Sequence, residues 1–391
     1  TTPRFRVKVE KKIEEGSTLK VDGEAWLADL KYLGVDLLKA DAGVNVTLSP
    51  TVSTVTIDPL ILLRSGEGLA EVALNVDLKK DIVTFRGDAN MNPLAVALIT
   101  GAFKEDFLDD FRFGQNAYVS AKGVVGYKDK TLTTVNCTIR SDTLDYQKFP
   151  FRDCTVNVEV NGCTNNINEI EGKLFGGDVA ASGVFVFPPD GSGMNDIYSL
   201  HWNLKDADFD AFMSSNLVGS KKKDYEGVFS CEGFLQGPPG WKKRNQLTGG
   251  GVLKVRKGRV FMMPVFGGLS RYLTKIIPGL DFVLRQSDAD LEFKLAEGKV
   301  NCSRVSIKGN VISLKAKGHC TLDKTLDFNV KVTLMKEHTV VGKLLQMLSY
   351  PVSKLFEFRL TGTFDDSRWY LENFSKDLLD KLGLTDSESN K

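Results

Sequence analysis

From Leu326 to Leu334, apolar and polar residues alternate without a break. Leu326, Phe328, Val330, Val332 and Leu334 are apolar, and Asp327, Asn329, Lys331 and Thr333 lie between them. A repeat of two puts successive side chains on opposite faces of a β-strand, one face oily and one wet. The pattern recurs at Phe5, Val7 and Val9, at Val44, Val46 and Leu48, and at Val72, Leu74, Val76 and Leu78. It returns at Tyr198, Leu200, Trp202 and Leu204, and then at Leu291, Phe293 and Leu295. Ile312, Leu314 and Ala316 continue it, and Phe356, Phe358, Leu360 and Phe364 close the series. Turn signals such as Lys128-Asp129-Lys130, Glu297-Gly298 and Gly309-Asn310 separate the runs. Closely spaced strands with short turns predict an antiparallel meander. A large sheet with one continuous apolar face must close on itself or cover something apolar that is not protein.

Four segments break the two-residue period and predict helices. Met91 to Phe103 places Asn92 at the N-cap and Pro93 at the first helical position. Asp208 to Leu217 groups Phe209, Phe212 and Met213 on one face, and Pro264 to Ile277 groups Phe266, Leu269 and Leu273. Val340 to Leu348 is the fourth, and Ser375 to Leu382 adds a short terminal helix before a polar tail. The lead-ins Gly87-Asp88-Ala89-Asn90-Met91 and Lys205-Asp206-Ala207-Asp208-Phe209 are alike. They suggest an internal repeat of several strands followed by a helix. The expected fold is mainly β with a few short helices: an elongated, curled antiparallel β-sheet, a repeating β-groove built of strand-meander-plus-helix repeats. The expected organisation is an N-terminal meander repeat over 1–114, a second over 115–236, a C-terminal region over 237–372, and a short helix and tail over 373–391. Gly237-Pro238-Pro239-Gly240 is the best linker signal.

Composition narrows the function. Fifty-one Lys plus Arg against 50 Asp plus Glu argues against a nucleic-acid partner. No run approaches the roughly 20 apolar residues of a membrane-spanning helix. The chain opens at Thr1, so a processed protein or an excised fragment is expected, with any leader or anchor upstream. The 6 cysteines, Cys137, Cys154, Cys163, Cys231, Cys302 and Cys320, form no Cys-x-x-Cys pair and read as buried thiols on strands.

Catalytic signatures are lacking, and no enzyme activity, cofactor or metal is expected. His201, His319 and His338 belong to no nucleophile or metalloprotease motif. Gly249-Gly250-Gly251 lacks the Gly-Lys-Ser/Thr of a phosphate loop and leads into a strand. Asp109-Asp110 and Asp365-Asp366 are adjacent, and neighbours on a strand point to opposite faces. The basic runs Lys221-Lys222-Lys223 and Lys242-Lys243-Arg244 are solvated loops or local contacts to anionic headgroups. The apolar face remains. A sheet curled into a gutter leaves a channel in which acyl chains gain about 0.8 kcal/mol per buried methylene.

A family pattern emerges in the C-terminal half. Leu247-Thr248-Gly249-Gly250-Gly251-Val252-Leu253-Lys254-Val255 leads into Gly258-Arg259-Val260-Phe261, then Pro264-Val265-Phe266-Gly267-Gly268-Leu269-Ser270 and Phe282. Asp290 to Phe293, Gly298-Lys299-Val300, Gly309, Leu314, Gly318, Leu326-Asp327-Phe328, Phe356 and Leu360-Thr361-Gly362-Thr363 continue it. This resembles the C-terminal region of the AsmA-like family of bacterial envelope proteins. Leu174-Phe175-Gly176-Gly177-Asp178 with Gly183 resembles a recurrent strand segment of that family. The resemblance covers about residues 115–372, most clearly after 247. It implies a periplasmic protein related to bridge-like lipid transfer proteins, whose repeating β-groove conducts or holds phospholipids between membranes for outer-membrane lipid transport or assembly. A membrane anchor upstream of Thr1 would accord with that placement.

The expected function is therefore non-enzymatic binding or conduction of phospholipid or other acyl-chain lipid along an apolar β-groove, at membrane surfaces. The expected lining is Leu291, Phe293, Leu295, Ile312, Leu314, Leu326, Phe328, Val330, Val332, Phe358 and Leu360. The alternative is a structural or adhesive β-solenoid or sandwich with an ordinary closed core.

Overall fold

The structure is a computed structural model, and it describes residues 4–12, 17–100, 110–189, 191–216, 224–276, 282, 283, 285–334 and 355–372. The helices expected over Val340–Leu348 and Ser375–Leu382 and the Lys221-Lys222-Lys223 run lie outside these residues. The described residues form 21 strands of one antiparallel sheet, with a few short helices. The mainly β expectation is borne out. The chain divides into two compact units, 1–174 with 178–200, and 175–177 with 201–391.

The first unit opens with β1 (Arg4–Lys12), β2 (Thr18–Tyr32), β3 (Val35–Leu48), β4 (Ser53–Leu63), β5 (Leu69–Asp77) and β6 (Ile82–Ala89). Helix α1 (Pro93–Thr100) follows. Then come β7 (Phe111–Phe113), β8 (Ala117–Gly126), β9 (Thr134–Tyr146), β10 (Phe149–Asn161), β11 (Thr164–Leu174) and β12 (Gly177–Val186). Each strand from β1 to β6 pairs with the next. β8 then pairs with β6 across the helical excursion, and β7 and β8 lie in tandem along β9. Asn92 caps α1 as its sequence suggests. Its Oδ1 accepts the Leu94 N–H at 2.9 Å, and Pro93 occupies the first position, where a missing N–H costs nothing. The helix lies over one end of the strands. Ala95 and Met91 join Val35, Leu37, Ala40, Leu62, Ala70, Ala89 and Val119 in a closed core.

β13 (Ile197–Asp208) begins in the first unit and ends in the second. Helix α2 (Phe209–Asn216) follows it, capped by the Asp208 Oδ1, which accepts the Ala211 N–H at 2.9 Å. The two similar lead-ins thus do the same work. Each has a buried alanine, Ala89 or Ala207, at or one residue before the end of a strand, and turns into a capped helix. Phe212 of α2 packs on Phe175 and Phe229, with ring centroids 5.6 and 4.6 Å apart.

The second unit continues through β14 (Val228–Gly237), β15 (Thr248–Gly258), helix α3 (Gly267–Ile276), β16 (Ser287–Ala296), β17 (Lys299–Gly309), β18 (Ile312–Thr321), β19 (Thr325–Leu334), β20 (Leu355–Thr363) and β21 (Ser367–Leu371). From β14 to β21 each strand pairs with the next. The expected helix over Pro264–Ile277 appears as a 3-10 turn, Pro264–Phe266, running into α3. The Trp369 indole N–H and the Ser367 hydroxyl both donate to the Val265 carbonyl, at 2.8 and 3.0 Å, and pin the start of this helix to β21. Gly268 is held against the indole. A Cβ there would lie 2.6 Å from Trp369 Cδ1.

Gly268→Val is expected to destabilise the second unit by about 2 kcal/mol, because the added side chain must displace the indole from its hydrogen bond. A methyl group at Gly267 meets nothing within 4 Å, so Gly267→Ala is expected to be neutral or slightly stabilising. Urea unfolding followed by tryptophan fluorescence compares the two.

Candidate functional site

Strand register in the second unit stacks the apolar positions into transverse rows. The first row is Val255, Ala289, Ile307, Leu314, Val332 and Phe356. The second is Leu253, Leu291, Val305, Ala316, Val330 and Phe358, and the third is Gly251, Phe293, Cys302, Gly318, Phe328 and Leu360. The fourth is Gly249, Leu295, Val300, Cys320, Leu326 and Gly362. Ile312 faces Leu334 one step before the first row. All eleven residues singled out in the sequence therefore share one face. A bulge at Ser303 and Arg304 makes this possible in β17. It takes up the extra residue that would otherwise turn Val305 away from Cys302.

The rows differ in cover. The first is a closed core, with Val332 and Phe356 fully buried; Leu269 and Leu273 of α3 are fully buried too, and the rings of Phe266 and Phe282 pack edge to face on Phe261. Tyr272 of α3 reaches the Phe358 ring at 6.0 Å. Ile312, Leu314, Leu326, Val330, Val332, Phe358, Leu360 and Leu295 are buried. Leu291, Phe293 and Phe328 are half-buried, as are Leu253, Val300 and Val305 beside them. The half-open part of the second and third rows is thus their β15–β17 side together with Phe328, while Ala316, Val330, Phe358, Cys302 and Leu360 in the same rows are sealed. Two rings lie flat there because glycine faces them: a Cβ at Gly251 would sit 3.0 Å from Phe293 Cζ, and one at Gly318 would sit 2.8 Å from Phe328 Cδ1.

The first unit repeats the arrangement, and residues there extend the set chosen from the sequence. Leu27, Ala40, Leu62, Ala70, Ala89 and Val119 form the row next to α1. At the other end of the same strands run Val21, Val46, Val55, Val76, Val83 and Val125, each half-buried. The alternation in β3 and β5 marked Val46 and Val76 in advance. Nothing in the sequence revealed that α1 stops short of them.

The opposite face is polar and knit to itself. Asn75 Nδ2 donates to Thr56 Oγ1 at 2.8 Å, and Thr138 Oγ1 to Asn157 Oδ1 at 2.8 Å. Lys331 pairs with Glu357 at 2.8 Å and Arg359 with Asp327 at 2.6 Å. The one basic cluster that is described has a structural use: Arg244 binds Asp323 at 2.8 Å and ties a 3-10 turn, Trp241–Gln246, to the β18–β19 turn. A polar cleft near Asn90 holds Glu67, Arg140 and Asp142, but its carboxylates already serve the fold. Glu67 accepts the Asn92 N–H at 2.9 Å, and Asp142 accepts from Asn116 at 2.9 Å. His201 is exposed and stacks on Phe234.

All six cysteines are free thiols. Burial pushes Cys137, Cys154, Cys231 and Cys320 above the ordinary thiol range, and it raises Cys302 to about 12, with a further contribution from nearby Cys320. These groups make the face inert toward polar chemistry and keep it apolar. Among the described residues no helix is long and apolar enough to cross a membrane. No protein-family model matches the chain, and no curated protein and no solved structure matches it either.

A thiol whose folded value is raised stabilises the fold below its ordinary value of 9.0 and loses that contribution as pH climbs toward about 12. Stability is therefore expected to fall over this alkaline window, and less steeply in Cys302→Ala. Thermal melts across the window test the slope. At about pH 8, Cys302 is expected to resist a disulfide reagent in the folded chain and to react once the chain is unfolded.

Proposed function

We propose that this chain is a non-enzymatic lipid-binding protein that holds or conducts phospholipid acyl chains along the apolar face of its sheet. The observation that carries this reading is the change of cover along the face. Rows under α1 and α3 are closed cores. Rows away from them, through Leu291, Phe293 and Phe328 and through Val46, Val55 and Val76, leave aliphatic and aromatic side chains half-open to solvent. A soluble sheet gains nothing by keeping such a strip wet. A fatty chain laid along it gains about 0.8 kcal/mol for each methylene it buries. The strip has no polar groups in its centre, which suits a hydrocarbon tail and leaves the headgroup in water. A place in the bacterial envelope, with transport between membranes as the task, accords with the resemblance to AsmA-like proteins. The closed-core alternative describes the rows beneath the helices well, and it leaves the middle rows without a role.

Phe293→Glu puts a carboxylate in the open middle row, where the fold has room for it. Native mass spectrometry after gentle extraction is expected to find phospholipid on the unaltered chain and about tenfold less on the variant. Lys294→Glu, on the exposed face one residue away, is expected to keep its lipid. Equal lipid on all three, or none on the unaltered chain, would end this reading. Val330→Glu, at a site only 2% exposed, is expected to unfold the second unit instead, which a loss of its cooperative urea transition would show.

A further inference from the structure

The first unit has two unlike rims. At one, α1 closes the apolar face. At the other, the hairpins β3–β4, β5–β6, β8–β9 and β12–β13 turn side by side. Register aligns them: Leu48 faces Ser53, Asp77 faces both Thr54 and Ile82, and Ile82 faces Gly126. The Phe187 N–H then donates to the Cys163 carbonyl at 2.8 Å, and the Gly162 N–H to Thr133 at 2.7 Å. These turns carry Val52, Leu78, Tyr127, Leu132, Phe187 and Met194, which are between 44% and 69% exposed. Among the described residues, the large exposed apolar side chains on and beside the α1 rim are Tyr32 and Leu33 in one turn, with Leu38 and Leu69 near strand starts.

We propose that this hairpin rim docks on the surface of a phospholipid bilayer and admits acyl chains to the apolar face across it. The inference rests on the lipid-binding reading and gives it a direction. The chemistry of the rim selects a bilayer over a protein. Successive hairpin tips stand about 10 Å apart and carry one or two apolar side chains each, so they make no contiguous dry patch of the kind a protein interface needs. A fluid interface accepts separate wedges, and a tyrosine suits the headgroup level. The charges among the tips are matched locally. Lys80 pairs with Asp77 at 3.4 Å and Lys128 with Asp81 at 2.9 Å, and the Tyr127 hydroxyl donates to the same Asp81. Lys79 donates to the Pro50 carbonyl. Paired signs fit zwitterionic headgroups and give no net pull toward an anionic surface. Just inside the rim lies the row from Val21 to Val125, half-buried along its length, so a tail crossing the rim meets apolar surface at once.

The test is co-sedimentation of the full chain with sucrose-loaded phosphatidylcholine vesicles. The unaltered chain is expected to pellet to the same extent at about 0.1 M and about 0.5 M salt. The triple variant Leu78→Asp, Leu132→Asp, Phe187→Asp is expected to bind about tenfold more weakly or worse. A chain that stays in solution overturns the proposal. So does one that binds only when phosphatidylglycerol is added and leaves with salt, or a triple variant that pellets like the unaltered chain. A separate variant, Phe187→Trp, guards against misfolding: its added fluorescence is expected to be quenched by nitroxide-labelled phosphatidylcholine, and absence of quenching counts against the rim. Native mass spectrometry of the same samples separates the two readings. Lipid on a chain that does not pellet refutes the rim alone. A chain that pellets through these residues yet carries no lipid refutes the groove, and with it the admission of tails across the rim.

Discussion

A one-sided sheet must find cover for its oily face, and among the described residues the helices are too short to provide it. α1 has 8 residues and α3 has 10, so they span about 12 and 15 Å. Neighbouring strands stand about 4.8 Å apart, so the eight strands from β14 to β21 extend about 34 Å across, and a strand of ten residues runs about 33 Å along its own axis. A helix of that length covers one corner of such a face. The gradient from fully buried Val332 and Phe356 to half-buried Leu291 and Phe293 follows from this mismatch. The half-buried state of Leu291, Phe293 and Phe328 is thus a consequence of the lengths of the described elements.

The rest of the architecture protects that arrangement. Short turns with both residues in the left-handed region, such as Leu33-Gly34 and Glu297-Gly298, match the twist of their strands and fix register. Register matters because a slip of one residue would send every apolar side chain to the polar face. That face has its own reasons to stay put. Its asparagines, threonines and ion pairs are satisfied across strands, so a slip would break them too. The edges are treated differently. β21 is locked by Ser367 and Trp369 under the 3-10 turn, whereas β1 presents Phe5, Val7 and Val9 with at least 61% exposed and pairs with β2 alone among the described residues.

Much of this was legible in the sequence, because alternation is local. Leu326 to Leu334 revealed strand and face together, Asn92-Pro93 revealed its helix by capping chemistry that acts within two residues, and the spacing of Phe209, Phe212 and Met213 revealed the next. What could not be read depends on contacts distant in the chain. Leu314 and Phe293 look alike as strand residues, yet one is sealed and the other half-open, and contacts such as that of Trp369 with the 3-10 turn before α3, about a hundred residues apart in the chain, leave no local mark. The bulge at Ser303 breaks the two-residue rhythm just where Cys302 and Val305 must share a face, so β17 escaped notice as an alternating strand. In Leu174 to Asp178, likened to a strand segment, Leu174, Gly177 and Asp178 lie in strands, but Phe175 and Gly176 between them form a two-residue turn with positive φ, and the aromatic ring serves α2. Arg244 read as a basic run and proved to be an anchor for Asp323.

The chemistry of the open rows also limits the kind of recognition they can perform. Valine, leucine and phenylalanine carry no donor or acceptor, and the sulfur of Cys302 is held as a neutral thiol by its surroundings. Contacts of this sort are additive in area and indifferent to orientation, so a ligand gains with every methylene and nothing distinguishes one stretch of chain from the next. A site that must tell one molecule from a near relative needs buried polar groups that are left unpaired by the wrong one. The middle rows have none. On the lipid-binding proposal, a tail sliding from Leu291 and Val305 to Phe293 would exchange one apolar neighbour for another and meet no fixed minimum. Selectivity, if this face has any, has to come from the polar turns at its margins.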